Sequence, residues 1–96
     1  MSKWRSRAYL DYIRGLPCAI CGGEAEPHHW RKGALAGVGL KPDDCFAIPL
    51  CAEHHTLGKD AVHNIGHAAF AERFRIDPWR MIAFLMRDWL REKELV

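Results

Sequence analysis

The chain has no long apolar run, little net charge and no leader-like start. No stretch approaches the roughly 20 apolar residues that a membrane-spanning helix needs, so we expect no association with a membrane. Lysine and arginine number 14 against 12 acidic residues, so a phosphate-binding role would need a local basic cluster. The first seven residues, MSKWRSR, contain no apolar stretch, so we expect no signal peptide and a cytoplasmic, intracellular protein.

The chain does contain enough apolar sequence for a small folded domain. Hydrophobic residues make up 49% of its 96 residues, which argues against disorder and predicts one domain over residues 1–96. A core of this size is modest and is often reinforced by a bound metal ion.

The cysteines suggest such a metal site. In an intracellular compartment, paired cysteines bind metal more often than they form disulfides. Two residues separate Cys18 from Cys21 and also Cys51 from His54, a spacing typical of a closed tetrahedral structural zinc site. Cys45 lies six residues before Cys51, about 20 Å away in an extended strand, so we expect a buried small residue or a neighbour of the active site.

The residue pattern predicts an α+β fold organised around a hairpin. We expect a helix from Ser6 to Arg14, a zinc knuckle from Cys18 to Gly23, and strands over residues 24–30 and 44–51. A basic, glycine-rich loop over residues 31–42 would connect the two strands. Pro49 implies that the second strand lies at a sheet edge.

The C-terminal half predicts helices. One helix should begin near Cys51, and a second should run from Asp60 to Arg73. The last should run over about residues 78–93, because Asp77 is a favourable N-cap and proline suits the first helical position. Its wide apolar stripe predicts core packing, and a homodimer through this helix is the alternative.

Six histidines exceed what one zinc site can use. His54 and His55 are neighbours on a predicted helix and point about 100° apart, so they cannot comfortably bind one ion. His28 and His29 are neighbours on a predicted strand and should face opposite sides unless the strand bends. The sequence therefore predicts a second metal site, made from the histidines that the zinc site leaves over.

The order of these motifs resembles a known family. A Cys-x-x-Cys pair, the pair His28-His29, a loop, the run DDCFAIPLC and then His54-His55 resemble the HNH endonucleases of the ββα-metal, or His-Me finger, fold. The similarity is greatest to the small phage and prophage type, including the Ref-like recombination nucleases. It covers a core from about Tyr9 to Phe74, with flanking N- and C-terminal helices.

The resemblance implies a role for each remaining histidine. The first residue of the pair, His28, would bind a catalytic divalent metal, and the second, His29, would be the general base. His55 would bind the same ion, and His63 is the candidate for a third ligand, with His67 in reserve. The ion could be Mg²⁺, Mn²⁺, Ni²⁺ or Zn²⁺, of which imidazole favours the last two.

One position departs from the family pattern. The family has an asparagine that orients the base, whereas this chain has Asp43 and Asp44 in the matching stretch. Asp44 could accept a hydrogen bond from the ring of His29 and so fix its tautomer, or it could bind metal. Alternatively, the two aspartates simply begin a strand.

The resemblance implies a DNA partner and a function in a prokaryote or phage-infected host. Arg31, Lys32 and Lys41 flank the expected site and would bind DNA. The first hypothesis is a metal-dependent DNA endonuclease, phage or prophage encoded, acting in DNA processing or recombination. The alternatives are a non-catalytic zinc module that docks DNA or a recombination protein, and a structural zinc domain that pairs through its last helix.

Overall fold

The computed structural model describes residues 3–30 and 42–94. Its helices are α1 (Arg7–Arg14), α2 (Val62–Ile65), α3 (His67–Phe74) and α4 (Pro78–Glu92), and its strands are β1 (Glu26–His29) and β2 (Ala47–Leu50). A 3₁₀ turn over Asp44–Phe46 precedes β2, and a π-helical turn over Glu53–Leu57 follows it. The prediction of an α+β fold with a hairpin and flanking helices is confirmed at this level.

The two strands form an antiparallel sheet. Glu26 pairs with Leu50, Pro27 with Pro49 and His29 with Ala47. The two prolines lie opposite each other, and a two-stranded sheet accommodates them because each strand has a free edge.

The predicted length of the second strand is wrong. Asp44–Phe46 forms the 3₁₀ turn, and only Ala47–Leu50 is extended. All four residues of β2 are buried, because α1 and α4 both pack against this strand.

The region predicted as one helix from Asp60 to Arg73 is largely helical, but it forms the two helices α2 and α3. Gly66, with φ 89° and ψ 162°, separates α2 from α3. A backbone with this positive φ is readily available only to glycine, and it stops the helical hydrogen-bond ladder. His63 and His67 consequently lie on different helices rather than on one face of a single helix.

The apolar stripe of α4 packs within its own chain. Ile82 is buried among the strand and α3 residues, and Met86 and Trp89 pack against the buried side chains of Tyr9 and Ile13 from α1. Asp77 caps the helix by accepting from the backbone N–H of Arg80 at 3.1 Å, as the sequence predicts. Dimerisation through α4 stays a prediction.

Within the described residues no helix has both the length and the apolarity to cross a membrane.

Candidate metal centres

One cluster unites the two pairs that the sequence singles out. The ligand atoms of Cys18, Cys21, Cys51 and His54 all lie within 4.8 Å of one another, so the group could hold a metal ion. The sulfur atoms of Cys21 and Cys51 are 3.6 Å apart, and Nδ1 of His54 lies 3.2 Å from the sulfur of Cys51. Three thiols and one imidazole are a donor set that suits zinc.

The cluster favours a thiolate at Cys18. Burial raises the pKa of this thiol, but the backbone N–H groups of Cys21, Cys51 and Ile20 outweigh that effect and hold the pKa at about 6. The neighbouring Cys51 has its pKa raised, by burial and by the adjacent thiols. Negative charge at Cys18 therefore discourages ionisation of Cys51 until a cation compensates it.

The same cluster joins distant parts of the hairpin. Cys18 precedes β1, Cys51 directly follows β2, and His54 lies in the π-helical turn. The backbone N–H of Ala19 also donates to the carbonyl of Pro49 at 2.9 Å. Cys45 is half-buried and lies outside this group, and burial raises the pKa of its thiol.

A second cluster consists of histidines alone. His28, His55 and His63 bring their ligand atoms within 4.8 Å of one another. Their ring centroids are 4.9 Å apart for His28 and His55, and 4.8 Å apart for His55 and His63. Burial and the neighbouring imidazoles lower the pKa of His28 to about 2. Its ring is therefore neutral at physiological pH, which is the form that binds metal ions.

His67 is a further member of this neighbourhood, although it lies outside the group of three. Its Nε2 is 2.9 Å from Nε2 of His28, and its ring contacts that of Trp30 with centroids 4.6 Å apart. Sequence analysis names it as the reserve ligand because the predicted helix places it on the same face as His63. The break at Gly66 places the two histidines on different helices. His67 is the first residue of α3, and it nevertheless lies beside His28.

His29 faces a buried carboxylate. Its Nε2 lies 2.8 Å from Oδ1 of Asp44, whose other oxygen accepts from the backbone N–H of Ser6 at 2.8 Å. Arg5 donates to Oδ1 of Asp44 at 3.2 Å. Burial raises the pKa of Asp44, but the hydrogen bonds from His29, Ser6 and Arg5 outweigh burial, and the net pKa is lowered. Because a carboxylate only accepts, Nε2 of His29 carries the proton.

One cleft connects these histidines. It has a volume of about 530 Å³, and its lining comprises Leu10, Arg14, Pro27, His28, His29, His55, His63 and His67. His28 and His29 both line it despite being neighbours, because His29 is the last residue of a four-residue strand, where strict alternation ends.

The structure places one basic residue, Arg14, at the cleft, whereas it does not describe the three basic residues predicted to bind DNA. Arg14, which is not among the predicted DNA-binding residues, lines the cleft from the end of α1 and pairs with Asp11 at 2.5 Å. The apolar pattern of α1 predicts which residues of the helix are buried, but it does not predict that Arg14 lies next to the hairpin. The predicted DNA-binding residues Arg31, Lys32 and Lys41 lie outside the described residues.

The fold and sites define a small α+β protein with a Cys₃His cluster and a separate histidine cluster. The chain belongs to the family described as a protein of unknown function (DUF968), whose family model matches residues 1–85. It is also similar to the uncharacterized protein YdfU of Escherichia coli strain K12, with 39% identity over 54 residues. That stretch is 55% of this chain and only 16% of YdfU. No solved structure matches the chain significantly.

Proposed function

We propose that the protein is a metal-dependent DNA endonuclease that hydrolyses phosphodiester bonds. The observation that carries this proposal is the cleft that His29 and the cluster of three histidines both line, with His29 hydrogen-bonded to the buried Asp44 behind it. A positioned base beside a cation site is the minimal apparatus for metal-assisted hydrolysis.

His29 serves as the general base. Asp44 accepts the hydrogen bond from Nε2–H, which fixes the tautomer and makes Nδ1 the unprotonated nitrogen of the ring. Nδ1 takes a proton from the attacking water molecule, and the imidazolium that forms is stabilised by the ionised Asp44. Proton removal by a positioned base is typically worth about 10²–10⁴-fold in rate.

His28, His55 and His63 are the candidate ligands of the catalytic ion. Neutral imidazoles without a carboxylate in the ligand group fit Zn²⁺ or Ni²⁺ better than Mg²⁺, which prefers oxygen ligands, with Mn²⁺ between them. A bound divalent cation would neutralise charge on the phosphate and on the leaving oxygen.

DNA as the substrate rests on two supports. Arg14 places a guanidinium beside the cleft, where it can bind a phosphate. The sequence resemblance to HNH endonucleases of the phage and prophage type supports a DNA substrate and a function in DNA processing or recombination. It also supports DNA binding by Arg31, Lys32 and Lys41.

A second candidate is a non-catalytic zinc module that docks DNA or a recombination protein. The Cys₃His cluster favours it, because this donor set suits a closed structural zinc site without an open position. Such a module requires neither His29 nor the histidine cluster.

The deciding experiment is plasmid nicking by zinc-loaded protein with Mg²⁺, Mn²⁺, Ni²⁺ or Zn²⁺ added. We expect nicking by the wild type, a loss of at least about 10²-fold in His29→Ala, and equal zinc content in both. Arg80→Ala, which changes an exposed residue of α4 outside the cleft lining, should nick as the wild type does. A wild type that is inert with all four ions would favour the binding module, and an active His29→Ala would refute the assignment of the base.

A further inference from the structure

We propose that Glu26 is a positioning residue that holds His55 in the orientation and tautomer needed to bind the catalytic ion. Nδ1 of His55 lies 2.6 Å from Oε1 of Glu26. This inference rests on the proposed function only in assuming that the histidine cluster holds a cation.

The contact connects two elements that the hairpin brings together. Glu26 is the first residue of β1 and pairs with Leu50, the last residue of β2. His55 lies in the π-helical turn that follows, and its backbone N–H donates to the carbonyl of Cys51 at 2.8 Å. The strand register thus sets Glu26 beside the turn, and the backbone of the turn is fixed next to the zinc cluster.

The contact between Glu26 and His55 determines which ring nitrogen of His55 carries the proton. An ionised carboxylate only accepts hydrogen bonds, so Nδ1 of His55 must carry the proton. Nε2 is then unprotonated and is the nitrogen available to the cluster with His28 and His63. Metal-binding histidines commonly donate their second ring N–H to a carboxylate, which orients the ring and increases its basicity.

The charge of the histidine cluster gives a second reason to assign this role to Glu26. The group of His28, His55 and His63 has no anionic member among the described residues that form it. A divalent cation bound there would gain compensation from Glu26 through the ring of His55. The side chain of Glu26 is 48% exposed and that of His55 only 17%, so the carboxylate reaches the ring from the solvent side.

The alternative is an ordinary surface ion pair. Such a pair would leave metal affinity unchanged when it is removed, since exposed pairs contribute little. Loss of a carboxylate that supports a metal ligand typically weakens metal affinity by about 10–100-fold. Affinity for the ion therefore distinguishes the two roles without any reference to catalysis.

The experiment uses the 96-residue chain with zinc loaded in the Cys₃His cluster, and Ni²⁺ is the probe in a calorimetric titration. We expect Glu26→Ala to weaken Ni²⁺ binding by about 10–100-fold and Glu26→Gln, which can still accept from Nδ1–H, to weaken it less. Glu24→Gln is the matched control, because Glu24 is an exposed carboxylate just before β1. It should bind Ni²⁺ as the wild type does. Thermal melts establish that each variant is folded.

A second measurement records the tautomer of His55 by long-range ¹H–¹⁵N NMR without added Ni²⁺. We expect the Nδ1–H tautomer in the wild type and a mixture in Glu26→Ala. Unchanged Ni²⁺ affinity in Glu26→Ala, or an Nε2–H tautomer in the wild type, would overturn the role of Glu26 and leave the nuclease intact. Absence of nicking with Glu26-dependent Ni²⁺ binding would reject the nuclease alone. A wild type that binds no Ni²⁺ would overturn the role of Glu26, and one that also nicks with none of the four ions would overturn the nuclease as well.

Discussion

The imidazole of His29 donates from Nε2 to Oδ1 of Asp44 over 2.8 Å, and the carboxylate that receives it is almost fully buried. The segment before α1 completes the arrangement, since Arg5 and the backbone of Ser6 both donate to the same carboxylate. The start of the described chain, the 3₁₀ turn and the end of β1 therefore meet at one buried charge.

Replacement of Asp44 by asparagine should destabilise the fold. Asparagine keeps the shape but removes the charge to which His29, Arg5 and Ser6 donate. Hydrogen bonds to charged groups contribute about 1.5–3 kcal/mol, so we expect Asp44→Asn to lose about that much free energy of unfolding at pH 7. Urea denaturation with zinc present measures the loss.

The pH dependence of this loss follows from the lowered pKa of Asp44. Because the folded pKa lies below the ordinary value of 3.8, the stabilisation is fully present above 3.8 and is lost as the pH falls through the folded pKa. The difference in free energy of unfolding between the wild type and Asp44→Asn should therefore be at least as large at pH 5 as at pH 7. A difference that disappears between those values would contradict the assigned direction.

Replacement of Cys18 by serine should remove zinc and unfold the chain. In small zinc domains the bound ion contributes about 10 kcal/mol or more, which is comparable with the entire stability of a domain, about 5–15 kcal/mol. Metal analysis and circular dichroism measure the two effects. The control is Cys45→Ser, which changes a half-buried cysteine outside the cluster and should retain zinc. A cooperative melt of Cys18→Ser like that of the wild type would exclude structural zinc.

Replacement of Arg14 by alanine should weaken DNA binding. One lost phosphate contact reduces the slope of log affinity against log salt by about 0.9 for duplex DNA, and the effect should not depend on DNA sequence. The measurement is fluorescence anisotropy at several salt concentrations, in the His29→Ala background so that no cleavage occurs. Arg80→Ala, a change outside the cleft lining, should keep the original slope. An equal reduction in both variants would indicate nonspecific charge attraction rather than a contact in the cleft.

Local signals predicted much of the architecture. The Asp77-Pro78 start of α4 and the buried positions Tyr9 and Ile13 of α1 follow from capping preference and helical periodicity. The break at Gly66 was missed, because an isolated glycine within a helical pattern does not by itself reveal its φ angle. The sequence predicts a strand that includes residues 44–46, because the apolar alternation of Phe46, Ile48 and Leu50 begins within the 3₁₀ turn. Such alternation alone does not distinguish a turn from an extended strand.

The sequence by itself determined which residues could share a zinc ion, because the spacing of Cys18, Cys21, Cys51 and His54 is a local property of two short segments. Only the tertiary structure decided which residues surround the histidines. Arg14 reaches the cleft from α1, and Glu26 reaches His55 from the start of β1. No periodicity or spacing connects those positions, because they meet only when α1 packs on the hairpin and the strand register is set.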